Sequence, residues 1–361
     1  MPKPSLLEPL SFSRGPTMKN RFMLAPLTNC QSHDDGTLSD EEFHWLTMRA
    51  QGGFGLTMTC AAHVQATGQG FPGQLGAFSD KHISGLSRIA EAIKQHDSIA
   101  ICQLHHAGMR SPADLIGTTP VCPSANEETG ARALTHGEVK QVVADFIAAA
   151  VRAESAGFHG IEVHGAHGYL LCQFLSPELN QRSDEYGGNR ENRSRIMLEI
   201  IDGIRQACSA DFMIGVRLSP ERFGLQLDDI VALTDILFGQ NQIEFLDMSL
   251  WDVLKEPIEE NKQGRSLLSY FTELDRRDVR LGIAGKIRTP EEAERALAEN
   301  VDWIMLGRAA ILQHNFPNLY AQSRGFTPVA TPVTADYLAA EGLSEKFINY
   351  MRSWHGFVVE E

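Results

Sequence analysis

Residues 279–312, VRLGIAGKIRTPEEAERALAENVDWIMLGRAAIL, decide the fold. Two short apolar runs, VRLGIAG (279–285) and VDWIMLGR (301–308), flank one amphipathic segment. Both runs are apolar almost throughout, as parallel strands covered on both faces must be. The segment between them, TPEEAERALAEN, offers Thr289 as N-cap and Pro290 in the first turn, where a missing N–H costs nothing. Strand, helix, strand in so short a span is the unit of a parallel α/β fold.

The same unit recurs toward the N-terminus. Apolar runs lie at RFMLAPLT (21–28), FGLTMTCA (54–61), SIAICQLHH (98–106), GIEVHGA (160–166), FMIGVRLS (212–219) and IEFLDMSL (243–250). Helical patterns lie between them. THGEVKQVVADFIAAAVRAESAG aligns Val139, Val142, Val143, Phe146 and Ala150, with Thr135 and Glu138 as a capping box and a stop at Gly157. NRENRSRIMLEIIDGIRQA is charged at its start and then apolar through Ile196, Leu198, Ile200, Ile201 and Ile204.

Eight strands with a helix after each predict a (β/α)₈ TIM barrel; a doubly wound sheet shares the alternation but usually has fewer strands. Neither repeat nor linker divides the 361 residues, so one domain is expected over 1–361. The barrel should run from about 20 to 325 and a C-terminal helical extension from about 330 to 361, with SEKFINYMRSWHGF as a helix. Residues 107–134, rich in Pro, Gly and Thr, read as a loop over the barrel mouth.

Totals narrow the function. Lys and Arg number 32 against 46 Asp and Glu, a net charge of −14 that repels nucleic acid. No apolar run reaches the ~18 residues of a membrane span, and MPKPSLLEPLSF lacks the pattern of a leader. Six scattered cysteines without a CxxC suggest reduced thiols and a cytoplasmic location.

The C-terminal ends of barrel strands face the active site, and here they are polar: Thr28 and Asn29, Gln103, His105 and His106, His164, Arg217. Gly285, Gly307 and Arg308, each just before a helix, suggest a phosphate seat. GQGFPG (68–73) fits G-x-G-x-x-G but does not join a strand to a helix, so a dinucleotide fingerprint is not expected.

The segment IEVHGAHGYLL (161–171) sets His164 and His167 at the mouth, with Tyr169 two residues on. Four readings compete. A metal site lacks further carboxylate ligands. A serine triad lacks its G-x-S-x-G elbow. Packed core histidines suit either residue alone better than the pair. A clamp, in which two imidazole N–H groups hold one oxygen while Tyr169 acts as acid, suits reduction of a C=C bond beside a carbonyl. Glu162 should share the inward face with His164. Such a reduction needs a hydride carrier, and a phosphate seat without a dinucleotide fingerprint points to a mononucleotide such as FMN.

The chain resembles the Old Yellow Enzyme family of FMN-dependent ene-reductases. The resemblance rests on HGAHGYLLCQFLSPELNQRSDEYGGNRENRSRIMLEII (164–201), NRFMLAPLTN (20–29), QLHHAGMRS (103–111), GVRLS (215–219) and Gly307–Arg308. It implies noncovalent FMN, with NADH or NADPH as reductant and an activated alkene as oxidant, reacting in turn by a ping-pong mechanism. Ala25, Pro26, Leu27 and Thr28 would line the flavin, with Thr28 near O4. Ala61 would make a backbone contact, Gln103 would pair with the pyrimidine edge, and Arg217 would lie near N1 and O2. Gly285, Gly307 and Arg308 would seat the phosphate. His164 and His167 match the substrate clamp and Tyr169 the proton donor; no metal is implied. A homodimer or higher homo-oligomer is expected by analogy. Many relatives with the His/His pair have a cysteine where Thr28 stands and a tyrosine where Cys30 stands, so a substrate-facing tyrosine is missing at that position. His105 is an extra histidine, expected to pack beneath the flavin. Related dienoyl-CoA reductases add an iron–sulfur cluster and a nucleotide domain, which the scattered cysteines here do not suggest.

Overall fold

Alternation along each strand sends one set of side chains into a closed cylinder and the other toward surrounding helices. The computed structural model describes residues 4–359. Its barrel strands are β1 (Phe22–Leu24), β2 (Leu56–Met58), β3 (Ile99–His105), β4 (Gly160–Gly165), β5 (Met213–Leu218), β6 (Phe245–Ser249), β7 (Arg280–Ala284) and β8 (Trp303–Leu306). They pair in chain order, all parallel, and β8 closes onto β1 through Phe22↔Ile304 to Leu24↔Leu306. This is the predicted (β/α)₈ barrel.

Inside, Met23, Leu56, Met58, Ile99, Ile101, Met213, Phe245, Trp303 and Met305 form the lower core. An N-terminal hairpin, bridged at Leu10↔Met18, closes the bottom, and Phe12 sets its ring edge against Trp303 at 5.8 Å. Outside, the opposite strand faces meet the helices in a larger cluster containing Phe22, Trp45, Phe146, Ile161, Ile200 and Leu246.

The helices start where their caps predict. Thr135 and Thr289 each form a complete capping box, opening His136–Ser155 and Pro290–Leu297. Two features depart from the expected pattern. The crossover after β6 carries only a 3-10 turn, Glu260–Lys262, and a four-residue α-helix, Ser269–Thr272, because WDVLKEPIEENKQGRS offers no helical apolar stripe. The tail forms two helices, Ala335–Ala340 and Glu345–Arg352, each opened by a capping hydroxyl, Thr334 and Ser344. The second is tied to the loop after β1: Ser344 N–H donates to Gln31 Oε1 at 2.9 Å, and Phe347 packs edge-on to Trp45. The 107–134 segment is a loop broken by short elements, among them Ala113–Ile116.

Candidate active site

At the C-terminal mouth, β1, β4, β5, β7, β8 and the tail helix enclose a cleft of about 290 Å³. Its walls include Ala25, Pro26, Leu27, Thr28, His167, Arg217, Gly285, Gly307 and Arg308, residues scattered over almost 300 positions of sequence but brought together by the barrel. Gln103 and His164 lie on the neighbouring inward faces of β3 and β4 and are buried. Ala61 sits just beyond β2, its carbonyl accepting from Gln74 Nε2 at 2.7 Å. Asn29 does not face the mouth: it turns to Glu42, donating to Oε1 at 3.0 Å.

The two histidines meet. His164 Nε2 lies 3.3 Å from His167 Nδ1, with ring centroids 5.2 Å apart. His167 has φ +61°, a left-handed turn that folds it back over the end of β4. Its N–H donates to Ser219 Oγ at 3.0 Å, and its carbonyl accepts from Arg110 Nη1. The outer nitrogens are also engaged. Ala166 N–H donates to His164 Nδ1 at 3.3 Å, and Ser249 Oγ lies 2.7 Å from His167 Nε2. Burial holds both imidazoles well below the ordinary histidine range, reinforced by Arg217 and Arg110.

Tyr169 stands beside them. Its ring packs edge-on to His164 at 5.3 Å and to His105 at 4.3 Å, and the Arg110 guanidinium lies 4.5 Å over its face. His105 therefore packs against Tyr169 and His164. Its Nδ1 accepts from Gln74 Nε2 at 3.1 Å, while Nε2 has no partner among the described residues. His106 is a structural neighbour, bonded to Gln65 Oε1 at 3.0 Å and to the Gly108 N–H.

The cleft suits a flat, anionic, phosphate-bearing group. Arg217 is 5% exposed, and its Nε has no partner among the described residues. A buried guanidinium without a full set of acceptors is a site waiting for one. Arg308 has no acidic partner among the described residues; burial, then the neighbouring charge of Arg288, lowers its pKa. A β-carbon on Gly307 would meet only Leu27, at 3.4 Å, so its backbone lies open to the cleft. Gly285 has another reason to be glycine. A β-carbon there would lie 2.8 Å from Asp252 N, so it makes room for the loop after β6 as well as lining the cleft.

Two residues were not anticipated. Ser249 is a single serine at the end of β6, visible in the sequence only as a polar strand terminus. Tyr350 arrives from the tail helix; it lines the cleft and lies beside Thr28, Cys30 and Tyr169.

Residues 5–325 match the NADH:flavin oxidoreductase / NADH oxidase family. A probable NADH-dependent flavin oxidoreductase, YqiG, of Bacillus subtilis is 35% identical over 322 residues, 86% of each chain. The NADH:fumarate oxidoreductase of Klebsiella pneumoniae is 36% identical over 323 residues, 85% of this chain but only 35% of that longer one. Among solved structures, the Old Yellow Enzyme homologue of Zymomonas mobilis superposes with a TM-score of 0.80 at 27% identity, covering 95% of this chain and 99% of that one. The chain belongs to the NADH:flavin oxidoreductase / NADH oxidase family, in its Old Yellow Enzyme group, whose members pair FMN with NADH or NADPH.

Proposed function

We propose that this enzyme is an ene-reductase that takes hydride from NADH or NADPH and reduces the C=C bond of α,β-unsaturated carbonyls or other activated alkenes. Bound FMN would supply the chemistry that these side chains lack, accepting hydride from the nicotinamide and passing it to the β-carbon. Arg217 and Gln103 would hold its pyrimidine edge, Ala25–Thr28 its flank, the Ala61 carbonyl region its far side, and Gly285, Gly307 and Arg308 its phosphate.

The clamp carries the reading. The Ala166 N–H occupies His164 Nδ1 and so puts the proton of a neutral ring on Nε2. In the structure His164 Nε2–H donates to His167 Nδ1 across 3.3 Å. With the Ser249 hydroxyl turned to donate to His167 Nε2, that ring's proton would sit on Nδ1 and both N–H groups could turn to one added oxygen. An oxygen seated beside both would accept from both, most strongly when it gains charge as hydride reaches the β-carbon. Tyr169, adjacent to His164, would deliver its proton to the α-carbon. Because nicotinamide and alkene would need the same clamp, they would bind in turn.

A phenolate mimics the charged oxygen. Wild-type protein should bind a simple phenol and perturb the flavin spectrum, whereas His164→Ala/His167→Ala should keep FMN and lose the phenol. Loss of FMN together with the phenol would overturn the assignment.

A further inference from the structure

Two acids inside the barrel take no part in the clamp. Glu162 on β4 and Asp247 on β6 point inward, both 0% exposed. The registers set Gln103 beside Glu162, and Arg217 beside both His164 and Asp247, so the acids lie alongside the residues assigned to the flavin pyrimidine edge. Gln103 Nε2 donates to Glu162 Oε1 at 2.6 Å. Beyond their mutual contact, Glu162 Oε2 and both Asp247 oxygens have no partner among the described residues. Asp247 Oδ1 sits against Gly282, where a β-carbon would lie 2.5 Å away.

Two buried carboxylates in contact resist being ionised together. Glu162 Oε1 already accepts from Gln103, and burial beside Glu162 favours the proton on Asp247. Burial and the adjacent Glu162 hold the Asp247 carboxyl well above the usual carboxylate range. One negative charge then remains beside Arg217 and Gln103. With Nε2 committed to Glu162, the carbonyl end of Gln103 would be left to accept from a bound pyrimidine edge.

We propose that Glu162 and Asp247 share one proton and act as a single negative charge beside Arg217, a positioning pair that holds down the midpoint potential of the bound flavin. This rests on the FMN reading above. Reduction places negative charge on the pyrimidine edge, so a fixed negative charge nearby opposes it while Arg217 favours it.

The test is an anaerobic redox titration of the holoprotein with wild type, Asp247→Asn and Glu162→Gln/Asp247→Asn. Asp247→Asn exchanges one neutral donor for another and should leave the midpoint in place. The double variant removes the charge and should favour reduced flavin about tenfold or more, ~30 mV for two electrons. Equal shifts in both variants, or none in the double variant, would overturn the proposal. An infrared spectrum gives a second readout that needs no folded variant: wild type should show a buried protonated carboxylic acid. Absence of that band also overturns it. A colourless wild type, by contrast, would sink the FMN reading and leave the infrared result standing.

Discussion

Replacing Ser249 with alanine removes one hydroxyl beside His167 and nothing else. That hydroxyl sits 2.7 Å from His167 Nε2, the nitrogen facing away from the clamp. Without it the imidazole is free to carry its proton on Nε2, leaving Nδ1 as an acceptor that repels the substrate oxygen. The cost of restoring the productive tautomer is about one neutral hydrogen bond, ~0.5–1.5 kcal/mol. The dissociation constant of a phenol should therefore rise about 2- to 13-fold at RT ≈ 0.59 kcal/mol. Removing the ring in His167→Ala deletes a bond to a charged oxygen, ~1.5–3 kcal/mol, and should cost about 13- to 160-fold. Spectral titration of the holoprotein with a phenol measures all three proteins. Ser249→Thr should restore most of the affinity. Wild-type affinity in Ser249→Ala, or a loss as large as that in His167→Ala, would refute the tautomer argument.

Further perturbations probe other parts of the site. Tyr169→Phe should slow alkene reduction by ~10²–10⁴ while sparing flavin reduction by NAD(P)H, as separate stopped-flow half-reactions would show; equal damage to both would remove its role as acid. Arg308→Ala should weaken FMN about 13- to 160-fold, the loss of one charge-assisted bond, read from flavin released on dilution. Acid should destabilise the fold above the range where ordinary exposed carboxylates titrate. Burial lowers His63 to about 4 and His106 to about 3, whereas the unfolded chain takes up these protons near pH 6.5. Their contribution is complete above pH 6.5 and falls as pH drops toward the folded values, by on the order of 1.4 kcal/mol per pH unit for each. Urea midpoints that stay flat between pH 6.5 and 5 would contradict it.

The barrel was legible because its strands are buried on both faces and so stand out as unbroken apolar runs. Their lengths were not. RFMLAPLT yields a strand only over Phe22–Leu24, because the chain then leaves the sheet to line the cleft. Glu162 followed from alternation with His164, but Asp247 did not stand out in a strand that reads as mostly apolar. The meeting of His164, His167 and Tyr169 was legible because they are close in sequence. Ser249 and Tyr350 were not, since nothing local ties a serine on β6 or a tail tyrosine to that turn; only barrel closure and the docking of Glu345–Arg352 do.

The most direct measurement is an anaerobic absorbance record of the purified holoprotein through one full cycle. The account predicts a flavin spectrum that bleaches with NADH or NADPH and recovers stoichiometrically on adding cyclohexenone. A flavin that bleaches but recovers only when oxygen is admitted would contradict it.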